Sequence, residues 1–155
     1  MFFSWGAALI DAWLAVVGGL TGVAGKASRA WKALPGDLLG LIVMRGSGIA
    51  APNRTVDAGD VTALVVEDPR VGRYLDLGLI PIHAQTLGRY VFCRGPLDDR
   101  TLAHECEHIR QWQRWGPLYL ALYFGSSGFA FLSGRHAYRD NRFETAARAR
   151  ADRDF

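Results

Sequence analysis

With 155 residues the chain is long enough for one hydrophobic core and too short for two ordinary domains, so we expect a single domain. Half of the residues are apolar and 21% are charged, a composition that excludes disorder over most of the chain. The formal net charge is +3, but the basic residues are scattered, and those near the C-terminus alternate with acidic ones. This pattern is typical of a solvated helix face, and we predict no nucleic-acid partner.

Residues 1–25 are almost wholly apolar, and Asp11 is their only charge. No basic stretch precedes them, which argues against a signal peptide. Their length suits a bilayer span, but Asp11 opposes insertion by about 2.5 to 3.5 kcal/mol. We predict an apolar N-terminal helix ahead of a domain formed by residues 26–155. The sequence leaves open whether this helix contacts a membrane or packs on the protein, and we expect a cytoplasmic location.

Three segments follow before the most informative part of the chain. Pro35 and Gly36 predict a break ahead of an apolar run to about Ile49, which we interpret as a helix turning into a strand. Residues 61–67 and 87–93 are rich in Val, Tyr and Phe between turn residues, so both are predicted strands. The second of these is a candidate sheet edge that holds an extended peptide substrate through main-chain hydrogen bonds.

A helix is predicted from Asp98, whose side chain can cap free backbone amides, to Trp115, where Gly116 and Pro117 end it. The apolar segment 117–132 is too short and too interrupted by glycine and serine to predict a transmembrane helix. A last helix is predicted from about Asn141 to the C-terminus.

The predicted helix from Asp98 carries the sequence His-Glu-Cys-Glu-His at residues 104–108. Histidines at i and i+4 lie on one helix face, so His104 and His108 can bind the same metal ion. Glu105 lies about 100° round the helix, where its carboxylate can accept a proton from a metal-activated water as the general base. The alternative is a pair of histidines on an ordinary helix. Glu107 is expected to be a solvated residue or an ion-pair partner.

Two cysteines, Cys93 and Cys106, lie in apolar surroundings without metal-binding spacing. We predict that both are buried, reduced thiols with no chemical role.

A catalytic zinc site needs a third protein ligand and an open position. Glu144 is the leading candidate, because it is the only glutamate after the motif and lies in the first turn of a helix that can pack against the motif helix. His136 and Asp140 are the alternatives. His136 or Tyr138 is also a candidate to stabilise charge on a substrate carbonyl, unless their segment is an ordinary surface loop.

The residues from HECEHIRQWQRWGPLYLALYF at 104–124 to GRHAYRDNRFE at 134–144 resemble a family of small bacterial proteins. The family pattern is HExxHxRQxxRxGPLF followed by RDNPFE, and TLGR at 86–89 is similar to the strand that precedes its motif. The resemblance covers roughly residues 31–150, and the broader class is that of the zincin-like, gluzincin-type metallopeptidases.

This resemblance implies that His104, His108 and Glu144 bind the metal and that Glu105 is catalytic. Arg142 stands where the family pattern often has proline, and Cys106 lies within the motif, but neither is a proposed ligand.

The sequence therefore predicts an α+β fold, a minimal zincin-like domain in which a small sheet packs on the motif helix and a C-terminal ligand helix. The predicted cofactor is zinc, because two imidazoles and one carboxylate suit that metal. The predicted function is a zinc-dependent hydrolase, a minimal metallopeptidase acting on a peptide or protein. The alternatives are a catalytically inactive zincin-like interaction module and a membrane-associated partner protein. The oligomeric state is not predicted.

Overall fold

The computed structural model describes residues 26–76 and 82–154, in which five helices and a four-stranded sheet form an α+β fold. This confirms the predicted fold class. The predicted apolar helix in residues 1–25 lies outside the described residues. In chain order the elements are α1 (Lys26–Gly46), β1 (Arg54–Ala58), β2 (Val61–Glu67), a 3-10 turn (Pro69–Val71), α2 (Gly72–Leu75), β3 (Ala84–Leu87), β4 (Tyr90–Cys93), α3 (Asp99–Trp115), α4 (Leu118–Leu132) and α5 (Arg142–Asp154).

The sheet has the strand order β1-β2-β4-β3. Strands β1 and β2 form one antiparallel hairpin, β3 and β4 form a second, and β2 and β4 join the hairpins in parallel. Residues 61–67 form a strand as predicted. The prediction of one strand over residues 87–93 is wrong, because Gly88 and Arg89 form the turn between β3 and β4. The predicted sheet edge is also wrong, because β4 lies between β2 and β3; among the described residues the edge strands are β1 and β3.

Two hydrophobic clusters cover the sheet. Successive residues of a strand point to opposite faces of the sheet. Val65 therefore packs in one cluster, with Cys106 and Ile109 of α3. Val66 packs in the other cluster, with Met44 and Trp112.

Cys93 and Cys106 are buried and free, as the sequence predicts. Burial raises the pKa of Cys93, and it raises the pKa of Cys106 to about 11, so both thiols are protonated at neutral pH.

Helix α1 continues through Pro35, so the predicted break is wrong. Proline removes one backbone hydrogen bond, and the helix is held in place by close packing of its small residues. A Cβ at Gly36 would lie 2.6 Å from the backbone nitrogen of Gly88, and one at Gly40 would lie 2.5 Å from the Tyr90 ring. Glycine at both positions therefore lets α1 approach the β3–β4 hairpin.

The turn of this hairpin is fastened to α1 by Asp37. Its carboxylate accepts hydrogen bonds from the backbone nitrogen of Arg89 at 2.7 Å and from the Arg89 side chain at 2.9 Å. Gly88 has a φ of 60°, a left-handed conformation that favours glycine. The contact fixes the edge strand β3, which the site described below requires.

Replacing Gly88 by Ala should lower the free energy of unfolding by about 3 kcal/mol, about 1 from the left-handed backbone and about 2 from overpacking. The overpacking arises because the new Cβ would lie 2.3 Å from the backbone nitrogen of Asp37. Gly59→Ala is the matched control, since Gly59 has a φ of 70° and no atom lies near its Cβ position. Urea denaturation measures both, and equal losses would show that the contact between α1 and the turn does not stabilise the fold.

Helix α4 forms despite the glycines at its centre, because Ala130 and Tyr119 are buried against the rest of the domain. In the described ranges, no helix combines the length and the hydrophobicity that crossing a membrane requires.

Candidate metal centre

Helix α3 carries the motif, and its ends are those predicted from the sequence. The Asp98 side chain accepts hydrogen bonds from the backbone nitrogen and the hydroxyl of Thr101, both at 2.8 Å. At the other end, Gly116 has a φ of 57° and donates its backbone N–H to the Trp112 carbonyl. The helix buries Ile109 and Trp112 in the core, which turns His108 inward and leaves His104 partly exposed.

Helix α5 lies antiparallel to α3. Arg100 near the start of α3 pairs with Asp152 near the end of α5, and Gln111 near the end of α3 bonds to the Phe143 carbonyl at the start of α5. Asn141 fixes this start, because its side-chain oxygen accepts a hydrogen bond from the Phe143 backbone nitrogen at 2.9 Å. This arrangement places Glu144 in the first turn of α5, opposite the two histidines.

The ligand atoms of His104, His108 and Glu144 all lie within 4.8 Å of one another. The Nε2 atoms of His104 and His108 are 3.1 Å apart. His104 Nε2 is 3.3 Å from Glu144 Oε2, and His108 Nε2 is 3.2 Å from Glu144 Oε1. Within residues 26–76 and 82–154 this is the one such group of at least three His, Cys, Asp or Glu side chains.

The Glu144 carboxylate has unequal surroundings at its two oxygens. Oε1 accepts a hydrogen bond from the Tyr123 hydroxyl at 2.8 Å. Oε2 is fully buried and has no hydrogen bond of good geometry, although His104 Nε2 lies 3.3 Å away and Arg148 Nη1 lies 3.8 Å away. A buried carboxylate oxygen without a donor is costly, and a cation between the three side chains would satisfy it. The residues therefore fit a divalent metal ion that prefers nitrogen and oxygen ligands.

His108 is oriented from behind by two further side chains. Its Nδ1 lies 2.8 Å from Gln111 Oε1 and 3.1 Å from the Tyr119 hydroxyl. The amide nitrogen of Gln111 donates to the Phe143 carbonyl, so its Oε1 faces His108 and accepts the proton on Nδ1. With the Nδ1 proton held in this way, Nε2 is the nitrogen that faces Glu144 and can bind a metal once its own proton has left.

Without a metal, the site holds a proton. Burial disfavours the charged form of His108, but the hydrogen bond to Glu144 and the charges of Glu105 and Glu144 outweigh burial and raise the pKa of His108 to about 9. Burial also disfavours the carboxylate of Glu144, but the neighbouring imidazoles of His104 and His108 hold its pKa far below the usual value. A metal ion that binds here therefore displaces a proton from His108.

Glu105 is buried beside the two histidines and Glu144, and its side chain contacts that of Thr86. The Thr86 hydroxyl donates to Glu105 Oε2 at 2.7 Å, and Thr86 belongs to the edge strand β3. This bond fixes the orientation of the carboxylate and leaves Oε1 to accept a proton. Glu107 points elsewhere, since its carboxylate lies 3.6 Å from Arg110, which agrees with the predicted ion pair.

Two cavities meet at the cluster. The inner one has a volume of about 120 Å³ and is lined by all three candidate ligands together with Glu105, Thr86, Tyr119 and Tyr123. The outer one is an open cleft of about 420 Å³, whose wall includes His104, Glu105, Arg100, Arg148 and Asp152. Tyr138 lines both cavities. A molecule in the outer cleft can therefore contact Glu105 and His104 directly.

The other residues named from the sequence lie at different distances from this centre. Tyr138 contributes to both cavity walls, where burial and the neighbouring Glu144 carboxylate raise the pKa of its hydroxyl. His136 lines neither cavity, and its Nδ1 accepts hydrogen bonds from the backbone nitrogens of Tyr138 and Arg139. Asp140 accepts a bond from the backbone nitrogen of His136. The structure thus brings Glu144 to the histidines and keeps His136 and Asp140 in a local turn.

Sequence reasoning missed Thr86, Gln111, Tyr119 and Tyr123. Gln111 lies three residues after His108 on the same helix face, a spacing that would have identified it as a partner for the imidazole. The tyrosines and Thr86 come from other elements, and nothing in the local sequence signals their approach.

Comparisons of the chain with models of known protein families, with curated proteins and with solved structures find no match. The assignment of the site therefore depends on the residues described above.

Proposed function

We propose that the protein is a zinc-dependent hydrolase, a minimal peptidase, in which His104, His108 and Glu144 bind the metal. The observation that carries this proposal is the convergence of two imidazole Nε2 atoms and one carboxylate within 4.8 Å, at the meeting point of two cavities. Two histidines and one carboxylate form the ligand set of hydrolytic zinc sites, which keep a fourth position for water or substrate. The resemblance of residues 104–144 to gluzincin-type metallopeptidases supports the same assignment.

Zinc, when bound, supplies a Lewis acid that polarises a carbonyl and lowers the pKa of a water molecule. Glu105 then acts as the general base: Oε1 takes the proton of the attacking water, while the Thr86 hydroxyl holds Oε2. The same carboxylic acid returns the proton to the leaving amine. Tyr138, on the wall of both cavities, donates a hydrogen bond to the oxygen that gains negative charge.

Edge strand β3 supports a peptide as substrate. It ends the sheet among the described residues, and Ala84, Gln85 and Thr86 line the inner cavity beside the ligands. An extended peptide can add to such an edge through main-chain hydrogen bonds, with one carbonyl beside Glu105. The free buried thiols of Cys93 and Cys106 agree with a reducing compartment, and we place the activity in the cytoplasm.

Metal analysis of protein purified without a histidine tag tests this proposal. We expect about one zinc ion per chain in the wild type and almost none in His104→Ala, because one of three ligands is removed. His136→Ala is the matched control, since His136 lies outside the cavities, and it should keep the metal. If the wild type carries no metal and binds none after zinc is added, the proposal fails and an inactive interaction module becomes the better description.

A further inference from the structure

Large hydrophobic side chains are exposed on two helices of this protein. Of the ten large hydrophobic residues that are exposed in the described ranges, five lie on α1 and four on α4, and Tyr138 is the tenth. Scattered exposed hydrophobics are ordinary, but a concentration on two elements marks an interaction surface.

On α4 the exposed positions follow one helical stripe along the whole element. They include Leu118, Ala121, Phe124, Gly128, Phe131 and Leu132. Phe124, Phe131 and Leu132 are 66%, 70% and 83% exposed. Spacings of three and four residues place these side chains on one face over about 22 Å of helix, and every member is apolar or small.

Helix α1 has its large and small residues on unexpected sides. Its buried positions include Ala33, Gly36 and Gly40, whereas Leu38 and Ile42 are both 59% exposed. A helix on the surface of a water-soluble domain normally directs its large apolar residues to the core. Here Met44 reaches the core, but Leu38, Ile42 and three further leucines point outward, so α1 is suited to an apolar neighbour on that side.

The charges near α4 indicate which neighbour this is. No charged residue lies between Arg114 and Arg135, and both of these arginines are exposed just beyond the two ends of α4. A second copy of the chain packed along α4, in either direction, would bring arginine against arginine. An anionic lipid surface instead attracts a cation at each end and takes up the apolar stripe between them.

The chain's own residues 1–25 are a less suitable cover. They contain one charged residue, Asp11, and immediately precede α1. Packing them on α1 would cover one apolar surface and expose another, because the segment has no polar side to present to water. A bilayer accommodates the segment as well as the two helix faces.

We propose that the exposed faces of α1 and α4 form a membrane-binding surface that docks on a bilayer containing anionic lipids. Helix α1 passes close to the start of α4, since a Cβ at Gly116, two residues before α4, would be 3.3 Å from the Lys32 carbonyl oxygen. Docking leaves the domain on the lipid surface without any described helix crossing it. This surface does not depend on metal binding or on hydrolysis.

The test is co-sedimentation of the full chain with vesicles made either of phosphatidylcholine alone or of an equal mixture of phosphatidylcholine and phosphatidylglycerol. We expect binding to the mixed vesicles, weaker binding to the neutral ones, and a loss of at least about tenfold in partitioning for the double variant Phe124→Ser and Phe131→Ser. The matched control, Phe124→Leu with Phe131→Leu, should bind like the wild type because it keeps the apolar stripe.

A second pair of substitutions, Leu38→Ser with Ile42→Ser, tests the face of α1 and should also weaken vesicle binding. Circular dichroism of each variant shows that the fold is kept, as expected for exposed positions. The proposal is overturned if the wild-type protein binds neither kind of vesicle. It is also overturned if the protein forms a stable dimer in solution and shows no affinity for lipid. Wild-type binding by both serine variants also overturns it, since residues 1–25 would then suffice.

Discussion

Glu105→Gln should keep the metal and lose hydrolysis. The amide oxygen can still accept the hydrogen bond that Thr86 donates to Glu105 Oε2 at 2.7 Å, so the side chain stays in place. An amide cannot accept a proton from water, and the loss of a general base lowers turnover by about a thousandfold. Zinc content by mass spectrometry and cleavage of a mixture of fluorescence-quenched peptides measure the two properties separately.

Glu107→Gln is the matched control for this prediction. Glu107 belongs to the same motif but pairs with Arg110 at 3.6 Å and lines neither cavity. Its replacement should leave both zinc content and turnover near the wild-type values. Undiminished cleavage by Glu105→Gln would exclude Glu105 as the base, and loss of zinc from that variant would make it a ligand instead.

The parts of the fold that local sequence determines were predicted well. Asp98 and Gly116 delimit α3 because each acts on the backbone within a few residues of itself. The strand at residues 61–67 is likewise marked by its own apolar residues and by the turns beside it. Local capping and turn chemistry need no knowledge of the rest of the chain.

The errors arose where a distant contact decides the local structure. Pro35 lies inside α1 because the glycines of that helix pack closely on the second hairpin, which the local pattern does not show. The turn at Gly88 was hidden in an apolar run, and it is fixed by Asp37, which lies 52 residues before Arg89. The predicted sheet edge was wrong as a consequence. Because β3 and β4 form a hairpin, β3 covers the side of β4 that was expected to be the edge.

The candidate site divides in the same way. The two histidines and Glu105 follow from the spacing on one helix, whereas the choice of Glu144 over His136 and Asp140 required the packing of α5 on α3. In the structure, Asn141 fixes the start of α5 and so brings Glu144, rather than its neighbours in the turn, to the histidines. The resemblance to metallopeptidases favoured the same residue.

Removing Glu144 should weaken zinc binding by at least about a hundredfold. Residues that only hydrogen-bond to the metal ligands typically cost tenfold to hundredfold in affinity when they are removed. In Glu144→Ala the metal loses a negatively charged ligand between the two imidazoles. Glu144→Gln keeps the shape of the side chain and an acceptor for the Tyr123 hydroxyl, so it isolates the loss of charge from the loss of packing. Competition with a chromophoric chelator at fixed pH gives the affinities.

The matched control is Asp140→Asn, which removes a charge from the alternative ligand but keeps an acceptor for the backbone nitrogen of His136. Its zinc affinity should equal that of the wild type. If Glu144→Ala binds zinc normally, Glu144 is not a ligand, and its burial between two histidines serves the fold alone. If Asp140→Asn loses the metal as well, the turn before α5 must rearrange on binding to bring Asp140 to the histidines.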